Sequence, residues 1–316
     1  MKKNLEYFYV LFLIPFLWGS TFLFTKVCLR FFPPVFLGGL RYLTGGLIFA
    51  IILILKYGYS HTITTIKRNF AGIVLVGFTG VTIAVLFQNL GLMYTTASSA
   101  ALLNSFEPVM VFFLSILILK EKATLNKILG LIIGFLGVII IISNGNLSSL
   151  FSLNTNLLGN LLMLVSLLGY SFYTIIGKIV LNDTPPLIVV GVSTLFGGIT
   201  LLIPSFFLEQ IPDLTLTPPE VWFSFIYMAT LPTCLAYYLY FKLLQNINAS
   251  KTVGIILMIP LYGSGLGILI LKEPVNPWFV LGSILVLTGA WLTESGKKIL
   301  NYVRNIRKYF EPAQVE

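Results

Sequence analysis

Charge is scarce in this 316-residue chain: Asp, Glu, Lys and Arg together supply only 10% of it. With 57% hydrophobic residues and a mean hydropathy of +0.95, too little polar surface remains to coat a water-soluble globule. The single histidine, His61, and the two cysteines, Cys28 and Cys234, are too few and too scattered for a metal centre or a disulfide framework. No metal and no cofactor are expected. A catalytic constellation is missing as well, since the apolar runs hold one central acid, no histidine and no paired carboxylates. The composition therefore argues against an enzyme.

Long apolar runs are abundant. A helix needs roughly 20 apolar residues to cross a bilayer, and such runs follow one another at about 8–29, 34–55, 70–93, 95–118, 127–143, 156–180, 185–208, 219–244, 249–271 and 276–295. These continuous runs exclude a β-barrel, whose strands are short and alternating. The first run follows Lys2 and Lys3 but is too long for a signal peptide, carries Trp18, Lys26 and Arg30, and has no small-residue cleavage site. The expectation is an all-α membrane protein of about ten transmembrane helices.

A repeat organises them. Ala97-Ser98 is matched by Ala249-Ser250, Pro108 by Pro260 and Leu119-Lys120-Glu121 by Leu271-Lys272-Glu273, always 152 residues later. The same ungapped shift carries Lys26 onto Lys178, Pro33-Pro34 onto Pro185-Pro186, Gly45-Gly46 onto Gly197-Gly198 and Gly137 onto Gly289. Two tandem copies of one unit follow: residues 8–143 and 156–295, an external linker at 144–155 without Lys or Arg, and a basic tail at 296–316. Five spans per copy is an odd number, so the second copy enters the membrane from the opposite side. Inverted repeats of this kind are a common plan of secondary transporters.

The net charge of +9 would point to nucleic acid in a soluble protein, but its placement points to a membrane. Most of the basic residues, among them Lys2, Lys3, Lys56, Lys67, Arg68, Lys120, Lys242 and the tail from Lys297 to Lys308, fall in one alternate set of connections. That bias puts both termini in the cytoplasm of a multi-pass cell-membrane protein, with the tail near anionic lipid headgroups. Nucleic acid is not expected as a partner.

Within the spans, polar and aromatic residues form stripes. Spacings of three and four put Trp18, Thr21 and Thr25 on one face of the first span, and Tyr170, Tyr173 and Gly177, with Ser166 a turn earlier, on the matching face of the sixth. The third span carries Gln88 and Asn89. The eighth carries Tyr227, Thr230, Cys234, Tyr237 and Phe241. Lipid-facing positions favour Leu, Ile and Val, so these stripes face either other helices or a cavity.

Glu107 stands near the middle of the fourth span, where a charge costs a few kcal/mol. Its repeat mate is Ile259, so the fold does not require an acid there. Asn104 is one turn away on the same face, and Pro108 removes a helical hydrogen bond. Glu107 is read as functional, with a structural pairing to Arg41 or to tyrosines as the other reading. Arg41 lies about five residues into the second span, roughly 8–10 Å along it. From there it can snorkel to the outer surface, pair, or touch substrate.

The aromatic-Gly-Ser-Thr-Phe start of the first span (Trp18 to Phe22), Leu40-Arg41-Tyr42-Leu43, the stretch from Thr96-Ala97-Ser98 to Glu107-Pro108, and Lys120-Glu121 resemble the EamA family of the drug/metabolite transporter superfamily. The resemblance covers about residues 8–295. It implies a ten-helix inverted-repeat carrier of small metabolites such as amino acids, often driven by an ion gradient or by exchange. It also implies that the first, third, fourth, sixth, eighth and ninth spans surround a central cavity.

The combined expectation is a small-molecule transporter, with export favoured, embedded in membrane lipid and coupled to protons or another ion. Its substrate is expected to meet Trp18, Thr21, Gln88, Asn104, Glu107, Tyr170, Tyr173 and Tyr237. Glu107 would take an ammonium group or carry the coupling proton. A multidrug exporter of lipophilic cations, which an acid among aromatics also suits, and a non-transporting membrane scaffold are the alternatives.

Overall fold

The computed structural model describes residues 12–120, 124–143, 145–146, 155–246 and 258–294. Glu121, Ala249-Ser250, most of the linker and the basic tail lie outside the described residues. Helices dominate, with no strand among the described residues.

The elements in chain order are α1 (Ile14–Cys28), α2 (Pro34–Tyr57), a short surface helix α3 (Tyr59–Arg68), α4 (Phe70–Tyr94), α5 (Ala97–Ile118), α6 (Leu125–Ser143), α7 (Thr155–Val180) and α8 (Pro186–Leu208). Next comes α9, made of Pro219–Thr230, a π segment Leu231–Ala236 and Tyr237–Asn246, then α10 (Ile259–Ile270) and α11 (Pro277–Glu294). Among the described residues, 6 helices are long and apolar enough to cross a membrane: α2, α4, α5, α6, the stretch Asn156–Val180 within α7, and α8. The helices α1 and α10 are apolar but shorter.

The Pro-Pro pairs act as start signals. Pro34 and Pro186 open α2 and α8, each behind an extended proline, since the first turn of a helix has no use for the missing N–H.

Each of these helices packs on its own repeat mate. The α2–α8 and α6–α11 contacts are the most extensive in the molecule. A Cβ on Gly46 would fall 2.5 Å from the Leu195 Cα, and one on Gly198 would fall 2.7 Å from the Leu43 Cα. Leu195 is the mate of Leu43 and Gly198 the mate of Gly46, so the two contacts are one contact seen twice. This reciprocity marks a local two-fold relation. Because Gly39 also faces Leu202, higher numbers on α8 meet lower numbers on α2, and the paired helices run antiparallel. The α6–α11 pair repeats the pattern, Gly137 against Val286 and Gly289 against Gly134. Glycine is needed at these crossings because the atoms opposite are backbone and cannot move aside.

Both repeats interrupt their third long helix with a π segment, Phe78–Ile83 in α4 and Leu231–Ala236 in α9. Shifted by 152, the first would begin at Leu231 minus one residue, so the two occupy almost equivalent places. A π turn holds an extra residue and is frequent at functional sites.

Candidate functional site

The fourth span is broken where the sequence places Glu107. The first part of α5 ends at Asn104, Ser105 and Phe106 form a turn, and the helix restarts at Glu107 with Pro108 in its first turn. Pro108 has no N–H to offer the Asn104 carbonyl, which explains the break at this position. The break sets the Asn104 side chain beside Glu107 and puts the acid at the positive end of the second helical piece.

Glu107 is 5% exposed and Asn104 6%. Both line a cavity of about 50 Å³. One water needs about 10–15 Å³, so the cavity admits a few waters or a small polar group. A larger metabolite requires it to widen.

The lining straddles the two-fold relation. Trp18 and Tyr170, Thr21 and Tyr173, Phe22 and Thr174, Gln88 and Tyr240, and Glu107 and Ile259 are five pairs of repeat mates, and all line this one space. Asn104, Tyr237, Arg41 and Tyr42 complete it. All eight residues expected to meet substrate are therefore brought together.

Aromatic and polar contacts fix the wall. Trp18 packs on Tyr237 and Tyr240 with ring centroids 5.0 and 5.1 Å away, and its indole N–H donates to the Pro232 carbonyl at 3.3 Å. Tyr173 meets Tyr237 edge to face at 5.8 Å. The Tyr170 hydroxyl donates to Gln88 Oε1 at 2.5 Å, and the Tyr42 and Tyr237 hydroxyls share a hydrogen bond of 3.0 Å. Thr174 and Tyr240 share another of 3.0 Å. These tilted and edge-to-face contacts fix the rings that line the cavity.

The remaining stripe residues divide differently. Thr25 is buried and donates to Met228 Sδ; Ser166 donates to the Ala84 carbonyl; Gly177 lies against Phe241; Asn89 donates to the Pro34 carbonyl. All of these are packing positions.

The expected wall of Tyr227, Thr230, Cys234, Tyr237 and Phe241 on α9 does not exist as one face. Of the five, only Tyr237 lines the cavity. Thr230 and Cys234 instead line a lateral groove with Ile48, Lys56 and Leu235, and Tyr227 bonds to Ser20. The physical reason is the π segment between Thr230 and Tyr237. Its extra residue breaks the 3.6-residue register, so positions above and below it no longer share a face.

The place of Arg41 narrows its three readings. It is 6% exposed and lines the cavity from α2, a helix absent from the expected set. Snorkelling is excluded by its burial, and among the described residues it forms no ion pair with Glu107. Its Nε donates to Thr233 Oγ1 at 3.0 Å. Thr233 stands in the π segment and returns its own hydroxyl proton to the Met228 carbonyl at 2.8 Å. Tyr42, Tyr240 and Thr174 were further omissions. Tyr240 could have been found as the residue one turn from Tyr237 and as the mate of Gln88.

One side of the bundle beside the cavity is closely packed. Small residues let α1, α5 and α10 approach: a Cβ on Gly19 would meet the Ile259 carbonyl at 2.8 Å, and one on Gly263 the Ala101 Cβ at 2.5 Å. Ser98 and Ser264 exchange hydroxyl-to-carbonyl bonds of 3.4 and 3.2 Å just beyond.

Comparison with known proteins gives a consistent picture. The sequence profile of the EamA-like transporter family matches twice, over residues 6–143 and 157–294. A protein of Archaeoglobus fulgidus described as an uncharacterized transporter is 29% identical over 277 residues, covering 87% of this chain and 94% of its own. The uncharacterized transporter YyaM of Bacillus subtilis is 25% identical over 284 residues, with 88% and 90% covered. A solved crystal structure of another protein superposes with a TM-score of 0.67 at 17% identity, covering 93% of this chain and 98% of that one, a likeness of fold.

Proposed function

Since the chain belongs to the EamA-like transporter family, we propose that it is a secondary active transporter of small metabolites, amino acids or related amphipathic compounds foremost. Transport is by alternating access, in the direction of export. The chain acts as a carrier and not as an enzyme. Ten helices in two inverted five-helix repeats, residues 8–143 and 156–295, cross the cell membrane, with the 144–155 linker outside and both termini in the cytoplasm.

The observation that carries this reading is the position of Glu107: an acid 5% exposed, on the wall of a cavity lined by five pairs of repeat mates. A cavity between two related halves is the place from which a substrate can be released to either side. An acid inside a membrane bundle is a functional group by default. Glu107 takes the ammonium group of the substrate or the coupling proton, Asn104 and Gln88 supply hydrogen bonds, and Trp18, Thr21, Tyr170, Tyr173 and Tyr237 cover the rest of the ligand. The same acid within an aromatic cage favours a second reading, export of lipophilic cations.

The test is a mass-spectrometric comparison of medium and cytosol from cells producing the intact protein or Glu107→Gln. The expected result is a metabolite class, amines or amino acids, that moves with the intact protein and stalls with the variant. Identical pools in both, with the two proteins present in the membrane at equal levels, would remove Glu107 from the mechanism.

A further inference from the structure

We propose that the Arg41 guanidinium is a carboxylate subsite, so that the ligand of the central cavity is a zwitterion held between Arg41 and Glu107. The inference rests on the carrier reading above and narrows it, because a lipophilic cation or a simple amine would satisfy only one of the two charges.

Arg41 is 94% hidden from solvent, as its exposure of 6% states, yet its protein partners use few of its donors. Nε is engaged by Thr233 at 3.0 Å, and one terminal nitrogen reaches only the Met228 sulfur, at 3.9 Å. Its carbon lies 5.0 Å from the centre of the Tyr42 ring. Among the described residues no carboxylate pairs with it. The one fully buried side-chain polar atom left without a partner among those residues is Ser105 Oγ. The open N–H groups of Arg41 therefore reach the free space of the cavity whose wall it forms.

Glu107 is in the complementary position. It is 5% exposed, has Asn104 as its polar neighbour, makes no ion pair among the described residues, and lines the same space. Tyr170 is within electrostatic reach of both charges. A guanidinium removed from water without a carboxylate partner is destabilising, and a ligand carrying a carboxylate beside an ammonium answers Arg41 and offers Glu107 a cation at the same time. A guanidinium matches a planar carboxylate with two parallel hydrogen bonds. A phosphate dianion fits less well, because among the described residues Arg41 is the only base on the wall and an acid, Glu107, shares it. The anchor at Thr233 holds Nε, and the contact of a terminal nitrogen with the Met228 sulfur, at 3.9 Å, is weak enough for a ligand carboxylate to replace.

The experiment is a thermal-shift titration of the purified full chain in detergent with each standard amino acid. Each binder is then followed by its methyl ester and its decarboxylated amine, and its flux is measured in proteoliposomes. The expected result is binding of the free amino acid that is at least about tenfold tighter than of ester or amine, about 1.4 kcal/mol or more. Arg41→Gln abolishes that preference, and Arg41→Lys keeps part of it. If Arg41→Gln does not yield folded protein, Thr233→Val takes its place. By freeing the guanidinium it weakens binding of the acid several-fold and leaves that of the amine unchanged. Equal binding of acid, ester and amine, or a preference that these variants leave untouched, overturns the subsite and leaves an amine carrier built on Glu107. Selective binding of the zwitterion without any flux sinks the carrier reading and sustains the subsite. Absence of binding by every amino acid overturns the subsite outright.

Discussion

Glu273 closes a contact with Ser98 across 175 residues of chain: Oε2 accepts the Ser98 N–H at 2.8 Å and the Ser98 hydroxyl at 2.5 Å. Oε1 accepts the Ala97 N–H, also at 2.8 Å. The first N–H groups of a helix have no intrahelical partner, and a negative charge is favoured at that end. Lys272 makes this reach possible. Its φ of +54°, mirrored by +55° at its mate Lys120, turns the chain back over the end of α10. The same face carries a second clasp of this kind, in which Glu209 accepts the Val35 and Phe36 N–H groups at 2.9 and 2.7 Å.

Glu273→Gln is expected to loosen the closely packed side formed by α1, α5 and α10. The amide keeps one acceptor oxygen and loses the charge, so of the three charge-assisted bonds those on one oxygen are lost and the remainder weaken, a loss of about 1–3 kcal/mol. The readout is the rate at which a thiol reagent labels Ser264→Cys in a chain lacking Cys28 and Cys234. Labelling is expected to rise several-fold with Glu273→Gln. An unchanged rate would show that the small-residue packing of α1, α5 and α10 holds the face without the clasp.

Gly46→Ala is expected to destabilise the fold, while Gly265→Ala is neutral. An added methyl at Gly46 meets the Leu195 backbone itself, 2.5 Å from its Cα; around Gly265 nothing lies within 4 Å. Forcing the α2–α8 crossing apart costs about 1–3 kcal/mol, visible as a lower unfolding temperature in detergent. Equal stability of the two variants would contradict the backbone contact that defines the two-fold relation.

The repeat was legible because shape constraints leave residues that cannot be exchanged: Gly46 and Gly198 face backbone, and Pro34 and Pro186 begin helices. Glu107 was legible because a membrane interior makes any acid conspicuous, and the other seven cavity residues because polar and aromatic side chains are poorly suited to lipid. Distance along α2 left three readings open for Arg41, since depth within a single helix says nothing about what covers it. Here α9 does, through Thr233 and Met228. The α9 stripe was misread because helical spacing assumes an unbroken register, and no pattern of Leu231-Pro232-Thr233-Cys234 announces an inserted residue apart from Pro232 itself.

That inserted residue gives the sharpest prediction. In α9 the π segment offers the Pro232 carbonyl to Trp18 and the Thr233 hydroxyl to Arg41, so two cavity side chains are aimed by backbone that a regular helix would place elsewhere. Deleting Leu231, which is 43% exposed and contributes nothing to the cavity wall, lets the segment close into an ordinary α-helix. One residue corresponds to a rotation of about 100°. Tyr237 and Tyr240 then leave the cavity, or Thr230 leaves the lateral groove and Tyr227 its bond to Ser20. The variant is expected to keep its helical circular dichroism and its membrane insertion while losing transport of whichever metabolite the intact chain moves. Retained transport would mean that α9 keeps its cavity residues in place without the π turn, and that the near-symmetric π segment in α4 has no mechanical counterpart to match.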